Sequence, residues 1–287
     1  MDLTGILLGG AAAGMVLFVV SVGLSVTMGL MGFVNLAHGA FAMLGGYAIV
    51  LSMKHWGLPF PAALALGFAA VAALAVVLER TLYARLYRAS ELDQVLFTIG
   101  LVFVTIALVT LTVGPETQTV LLPEWLRGQT DLGFLRYRSY SLAIIAFGVA
   151  LMLALWLGFE RTQLGARIRA AVDNRRMAAS LGVDVGRLFT ATFAVGSGLA
   201  AMGAGLGAEI LGLDPQYPLR YLAYFLIVVA VGGLGRVHGV FFAAILIGVL
   251  DFVLKFHFPK GGTMFIYALT LALLLARPQG LFGRKAA

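Results

Sequence analysis

The chain has 287 residues, 61% of them hydrophobic and 11% charged. A soluble domain of that length carries about a quarter charged residues, so this composition belongs to a chain whose solvent is largely lipid. The absence of cysteine excludes disulfide scaffolds, thiolate metal sites and cysteine nucleophiles, and the net charge of +7 is read as the Lys/Arg excess of cytoplasmic loops, not as a nucleic-acid footprint.

The first apolar run extends from Leu3 to Met31, and no Lys or Arg precedes it. It is longer than the core of a signal peptide and is read as the first membrane span. Further runs follow at Ala37 to Met53, Phe60 to Leu78, Val95 to Val113, Ser141 to Phe159, Leu188 to Ala208, Leu219 to Val231, Val237 to Leu254 and Thr263 to Ala276. They are continuous, with none of the ten-residue alternation of a barrel, and a bilayer core of about 30 Å needs roughly 20 helical residues. The expected fold is therefore all-α: a polytopic transmembrane bundle of eight or nine spans forming one domain over residues 1–287. Leu219 to Val231 is the shortest run, and Gly232, Gly233 and Gly235 behind it mark either a turn between two spans or a hinge within one region.

Orientation follows from the basic residues. The loop over residues 160–187 contains Arg161, Arg167, Arg169, Arg175, Arg176 and Arg187, which assigns it to the cytoplasm. Counting outward with nine spans places Arg80, Arg85, Arg88, Arg236, Arg277, Arg284 and Lys285 on the same side. Lys54, Arg127, Arg136, Arg138, Arg220, Lys255 and Lys260 fall outside. The N-terminus is then outside and the C-terminus cytoplasmic. Small residues recur at four-residue spacing, as in Gly5 with Gly9, Gly10 with Gly14, and Gly196, Ala200, Ala204 and Ala208. In lipid, such stripes let helix backbones approach closely.

No Gly-Lys dipeptide occurs, so the chain carries no phosphate-cradling loop of its own. His38, His55, His238 and His257 lie far apart without metal-ligand spacing, and no catalytic or metal-binding residues are assigned. Acidic residues are expected at span ends or in loops, the exception being Asp251, with Lys255 placed to pair with it at i+4.

Three segments carry specific signals. Between Gly29 and Phe41, three glycines and Asn35 interrupt two apolar runs beside His38 and Gly39. Asn35 can cap the following helix, or the broken backbone can border a polar path. The segment from Gly165 to Asp184 reads as one short inner-face helix, with Gly182 as its stop and Asp184 capping the next span. It is either a solvated connector or a docking helix. The third segment runs from Val228 to Phe241, and its His238-Gly239 repeats the His38-Gly39 pair, each followed by x-Phe, as in the internal repeats of transporters.

Asn35 to Tyr47, Arg169 to Asp184, the V-G-G-L-G-R-V-H-G run and the closing Arg277 to Gly283, in that order, resemble the shorter permease subunits of branched-chain amino-acid ABC importers, over almost the whole chain. The resemblance implies a bacterial inner-membrane transport subunit without enzymatic activity. Its implied partners are a second homologous permease, two cytoplasmic ATPase subunits that carry ATP and Mg, and an extracytoplasmic binding protein. It implies that Asn174, Met177, Ala178 and Gly182, with Arg175, Arg176 and Ala179 between them, form the ATPase-coupling loop. Asn35, His38 and Gly39 are the expected border of the translocation path. Arg176 departs from the family, where glutamate is common, so a salt bridge there is not expected to keep its sign. Apolar amino acids are the default substrate. The R-x-M-A-A-x-x-G-V form at Arg175 to Val183 also resembles permeases for urea and short amides. The rivals from other classes are a stand-alone ion-coupled carrier or channel and a membrane-embedded enzyme, for which no convergent acid/base or metal groups are found.

Overall fold

A computed structural model describes residues 3–281 except Phe33, Arg88, Leu132, Phe134, Leu135, Lys260, Pro278 and Gln279. The basic C-terminal residues Arg284 and Lys285, and most of the closing Arg277 to Gly283 motif, lie outside the described residues. The helices run α1 (Leu3–Met31), α2 (His38–Trp56), α3 (Phe60–Leu78) continued by a π-helical turn (Glu79–Tyr83) and α4 (Ala84–Leu86), then α5 (Glu91–Thr112), α6 (Glu124–Arg127), α7 (Ser139–Arg161), α8 (Gln163–Asp173), α9 (Arg175–Ser180), α10 (Val185–Leu211), α11 (Tyr217–Gly232), α12 (Val237–His257) and α13 (Gly262–Ala276). Each of the nine apolar runs lies on one of these helices. Six continuous helices among the described residues are long and apolar enough to cross a membrane: α1, α3 through α4, α5, α7, α10 and α12. Helices α2, α11 and α13 are shorter or less apolar.

α1 is buried along most of its length, because an all-apolar helix without a polar face has no side to offer water. Around it stand α10 and α12, whose backbones touch it through small residues. A Cβ on Gly14 would sit 2.7 Å from the Ala244 carbonyl oxygen, and one on Gly10 would sit 2.6 Å from the Val249 Cα. Pairing of Gly10 with Val249 and of Gly29 with Gly235 makes α12 antiparallel to α1, and pairing of Gly23 with Gly196 and of Gly207 with Val16 does the same for α10. α2 runs parallel to α10, since Gly45 meets Ala201 and Ile49 meets Gly205. The expected role of the small-residue stripe, close backbone packing, is therefore what these helices use. By contrast α5 and α7 expose Phe103, Leu108, Leu111, Leu153 and Leu157, the apolar surface of helices that face lipid.

Three features correct the sequence expectations. α3 does not stop at Leu78 but continues to Leu86, which brings Glu79 into a helix interior where it is buried; Asp251 is not the lone acidic residue within a span. The inner-face segment is two helices, not one, because Asn174 leaves the helical region with φ −152°. Between α5 and α7 the chain adds α6 and a hairpin of β1 (Gln129–Asp131) and β2 (Arg136–Arg138), pinned by the 3.2 Å ion pair between Arg136 and Asp131. The expected pair of Asp251 and Lys255 is present at 2.7 Å, and Tyr224 donates to the same carboxylate at 2.8 Å.

Candidate functional site

α8 begins where the Thr162 hydroxyl accepts from the Gly165 amide at 3.2 Å, and it turns Gly165, Ile168 and Ala171 inward while its arginines stay exposed. Asn174 then breaks the helix and caps the next one, its Oδ1 accepting from the Met177 amide at 3.0 Å. α9 ends at Gly182, whose φ of +84° is the left-handed turn that glycine adopts without strain. Asp184 caps α10 by accepting from the Arg187 amide at 3.0 Å. The two short helices are held to the bundle by a small core of Leu30, Ile168, Ala171, Ala178, Val185, Leu188 and Phe189. Arg175 adds a cation–π contact, its guanidinium lying 4.6 Å from the Phe189 ring centroid and 5.8 Å from that of Tyr87.

This packing divides the coupling-loop residues into two sets. Ala178 points into the core at 2% exposure. Asn174, Arg176, Met177, Ala179 and Gly182 are exposed, and Leu181 with them at 76%. Two large apolar side chains, Met177 and Leu181, therefore stand exposed on or just after α9, beside the exposed Arg175, Arg176 and Ser180.

Beside α8 lies a cavity of about 1130 Å³. Its walls come from the end of α1, Trp156 and Phe159 of α7, Val172 of α8, Leu226 and Val229 of α11, and Phe242 of α12. Glu160, Arg169, Asp173 and Arg236 bring both signs of charge to it. Gly233 and Gly235 form part of the lining, so the glycine break and the coupling segment share one cavity. The break is a turn between two antiparallel helices: Gly232 packs against the Val240 backbone near the turn, and Tyr224 meets Asp251 away from it. Ser25 of α1 clamps this turn, donating to the Gly233 carbonyl at 3.2 Å and accepting from the Gly235 amide at 3.0 Å. His238 lies edge-on to Trp156 at 5.9 Å in the same cavity.

Asn35, His38 and Gly39 lie elsewhere. All three are buried and none lines that cavity. Asn35 Oδ1 accepts from the Ala37 amide at 3.1 Å and from the Tyr83 hydroxyl at 3.0 Å, so its side chain braces the first turn of α2 within an irregular segment. His38 Nε2 lies 2.9 Å from the Val20 carbonyl oxygen, and Gly39 allows the Pro218 backbone to approach. Asn35 Nδ2 and His38 Nδ1 are buried without a protein partner among the described residues, as are the hydroxyls of Ser21, Ser197, Tyr47 and Tyr217. Such groups are costly in a dry interior and mark places that bridging water would satisfy.

The residues missed by sequence reasoning are Glu79, Tyr83 and Tyr87. Their four-residue spacing after an apolar run puts them on one helical face and was the available signal.

The sequence model of the family described as branched-chain amino acid transport system / permease component matches residues 6–275. The high-affinity branched-chain amino acid transport system permease protein LivH of Escherichia coli is 25% identical, over 96% of this chain and 94% of that protein. BraD of Pseudomonas aeruginosa, described in the same words, is 25% identical over 97% and 95%. A probable LivH of Methanocaldococcus jannaschii is 21% identical over 93% and 88%. Among solved structures, PsaBC from Streptococcus pneumoniae in complex with Fab is similar in fold, with a TM-score of 0.52 at 13% identity over 93% of this chain and 89% of that one.

Proposed function

The chain belongs to the permease-component family of branched-chain amino acid transport systems, and from that premise we propose that it translocates branched-chain or other apolar amino acids as one subunit of an ATP-driven importer of the inner membrane. A second homologous permease pairs with it, an extracytoplasmic binding protein delivers the substrate, and two cytoplasmic ATPases bind ATP and Mg. The chain crosses the membrane nine times, N-terminus out and C-terminus in. The antiparallel setting of α2, α10 and α12 against α1 supports that alternation. The substrate passes between the paired permeases, with the segment from Asn35 to Gly39 bordering the path.

One observation carries the coupling role. α8 and α9 are stapled to the start of α10 by their own core, yet Met177 of α9 and Leu181 at its end stand exposed. A helix that was only a connector would bury or lack them, whereas a docking helix offers them to a groove on the partner. Movement of that helix, imposed by nucleotide binding on the ATPases, tilts α10 and the α11–α12 turn and so alternates the access of the path. The Met177→Asp and Leu181→Asp variants leave the inward-facing core untouched, and each is expected to abolish co-purification of the ATPase subunits with the tagged chain. Unchanged co-purification contradicts the docking role.

The same machinery serves urea or short amides in the second reading, favoured by the R-x-M-A-A-x-x-G-V form from Arg175 to Val183. Competition between radiolabelled leucine and urea for uptake separates the two.

A further inference from the structure

Glu79 occupies a position for which the transport reading so far has no use. It is 4% exposed at the first position of the π-helical turn, inside a helix otherwise apolar to its start. Both carboxylate oxygens accept a hydroxyl hydrogen bond, Oε1 from Tyr87 at 2.9 Å and Oε2 from Thr190 of α10 at 2.6 Å. An ionisable group at that depth is expensive unless its acceptors are filled, and a π-helical turn stores an extra residue that regular helix would expel.

The turn's two ends lead in different directions. At the first, Tyr87 carries the Arg175 guanidinium of α9 over its ring and packs edge-on against Phe189, which the same guanidinium covers. At the last, Tyr83 is fully buried between Phe97 and Phe193 and donates to Asn35 Oδ1, the oxygen that also holds the Ala37 amide at the start of α2. Glu79 and Tyr83 both point into the bundle, one toward Thr190 of α10 and the other toward Asn35 at the start of α2. Arg175, Tyr87, Glu79, the π-turn, Tyr83 and Asn35 form one contiguous set of contacts.

We propose that Glu79 is a positioning residue for energy coupling: it locks the π-turn so that the place of the ATPase-facing helix α9 determines the conformation of the irregular segment at the start of α2. The inference rests on the reading of α9 as the coupling helix and of Asn35 to Gly39 as bordering the path. Displacement of α9 shifts Arg175 off Tyr87 and Phe189, loosens the hydroxyl that Tyr87 gives to Glu79, and frees the turn to relax toward regular helix. Tyr83 then rotates away from Asn35, and the first turn of α2 loses one of the two bonds on that oxygen.

The test uses the complete, reconstituted complex with leucine as the transported probe, measuring uptake and ATP hydrolysis in the same vesicles. Glu79→Gln replaces one acceptor by a donor that faces a hydroxyl, and Tyr83→Phe removes only the hydroxyl while keeping the ring between its neighbours. Both are expected to assemble with the ATPases and to hydrolyse ATP, but to transport at least tenfold less substrate per ATP. Glu79→Asp, which keeps two acceptor oxygens, is expected to recover part of that ratio. Hydrogen exchange at residues 34–40 is expected to respond to ATP in the unaltered complex and to lose that response in Tyr83→Phe. A packing role alone lowers assembly and leaves the ratio of substrate to ATP in place. An unchanged ratio and an unchanged exchange response in Tyr83→Phe overturn the proposal, whatever Glu79→Gln does to folding. If the unaltered complex fails to transport with ATP, or hydrolysis proceeds without α9 contacting the ATPases, the transport reading itself fails instead.

Discussion

The contact between α1 and α12 is where the fold is most sensitive to a single methyl group. A Cβ on Gly14 would lie 2.7 Å from the Ala244 carbonyl oxygen and 2.9 Å from the Ile245 Cα, both backbone atoms that cannot rotate away. The ordinary contact distance for a Cβ begins near 3.4 Å, so the two helices must part by roughly half an ångström along the seam they share at Gly10 and Gly14. Gly14→Ala gains about 1 kcal/mol of helix propensity and loses about 1–3 kcal/mol to overpacking. Gly100→Ala, on the exposed face of α5 with no atom within 4 Å of the added methyl, gains the same propensity and meets nothing. The difference between the two variants therefore isolates the steric cost. At about 2–4 °C per kcal/mol, Gly14→Ala is expected to melt roughly 2–12 °C below Gly100→Ala in the same detergent. Equal melting temperatures refute the view that backbone contact between small residues holds this bundle together.

Loss of the Asp184 cap by Asp184→Ala is expected to cost about 0.5–2 kcal/mol, read as a lower melting temperature and faster hydrogen exchange in the first turn of α10. Asn35→Ala and His38→Ala are expected to reduce uptake without loss of assembly, measured by transport and co-purification side by side; normal uptake in both removes this segment from the path.

Much of the bundle was legible because lipid imposes a long, continuous apolar run on each helix, and α1 was readable from end to end, Leu3 to Met31. The Gly182 stop and the Asp184 cap were legible for a local reason, since both act through the backbone of their own turn. What was hidden depends on partners distant in sequence. The charged run beginning at Glu79 looks like a loop, and the hydroxyl that donates to the buried Glu79 carboxylate comes from Thr190, 111 residues away. Ala178 and Met177 are adjacent and both apolar, and only the docking of α9 onto Phe189 and Leu188 decides which one is buried. The break at Asn174 had a signal in the residue type, a helix-capping asparagine, but the apolar spacing on either side of it suggested continuity. The hairpin between α5 and α7 is too short and too polar to stand out from a loop.

The most direct test of the chain as a partner-driven permease is accumulation of radiolabelled leucine in proteoliposomes, comparing the chain alone with the complex it forms with its co-purifying subunits. Accumulation is expected only in the complex and only with ATP. Accumulation by the chain alone, driven by a proton or sodium gradient, would contradict it and identify a self-sufficient carrier.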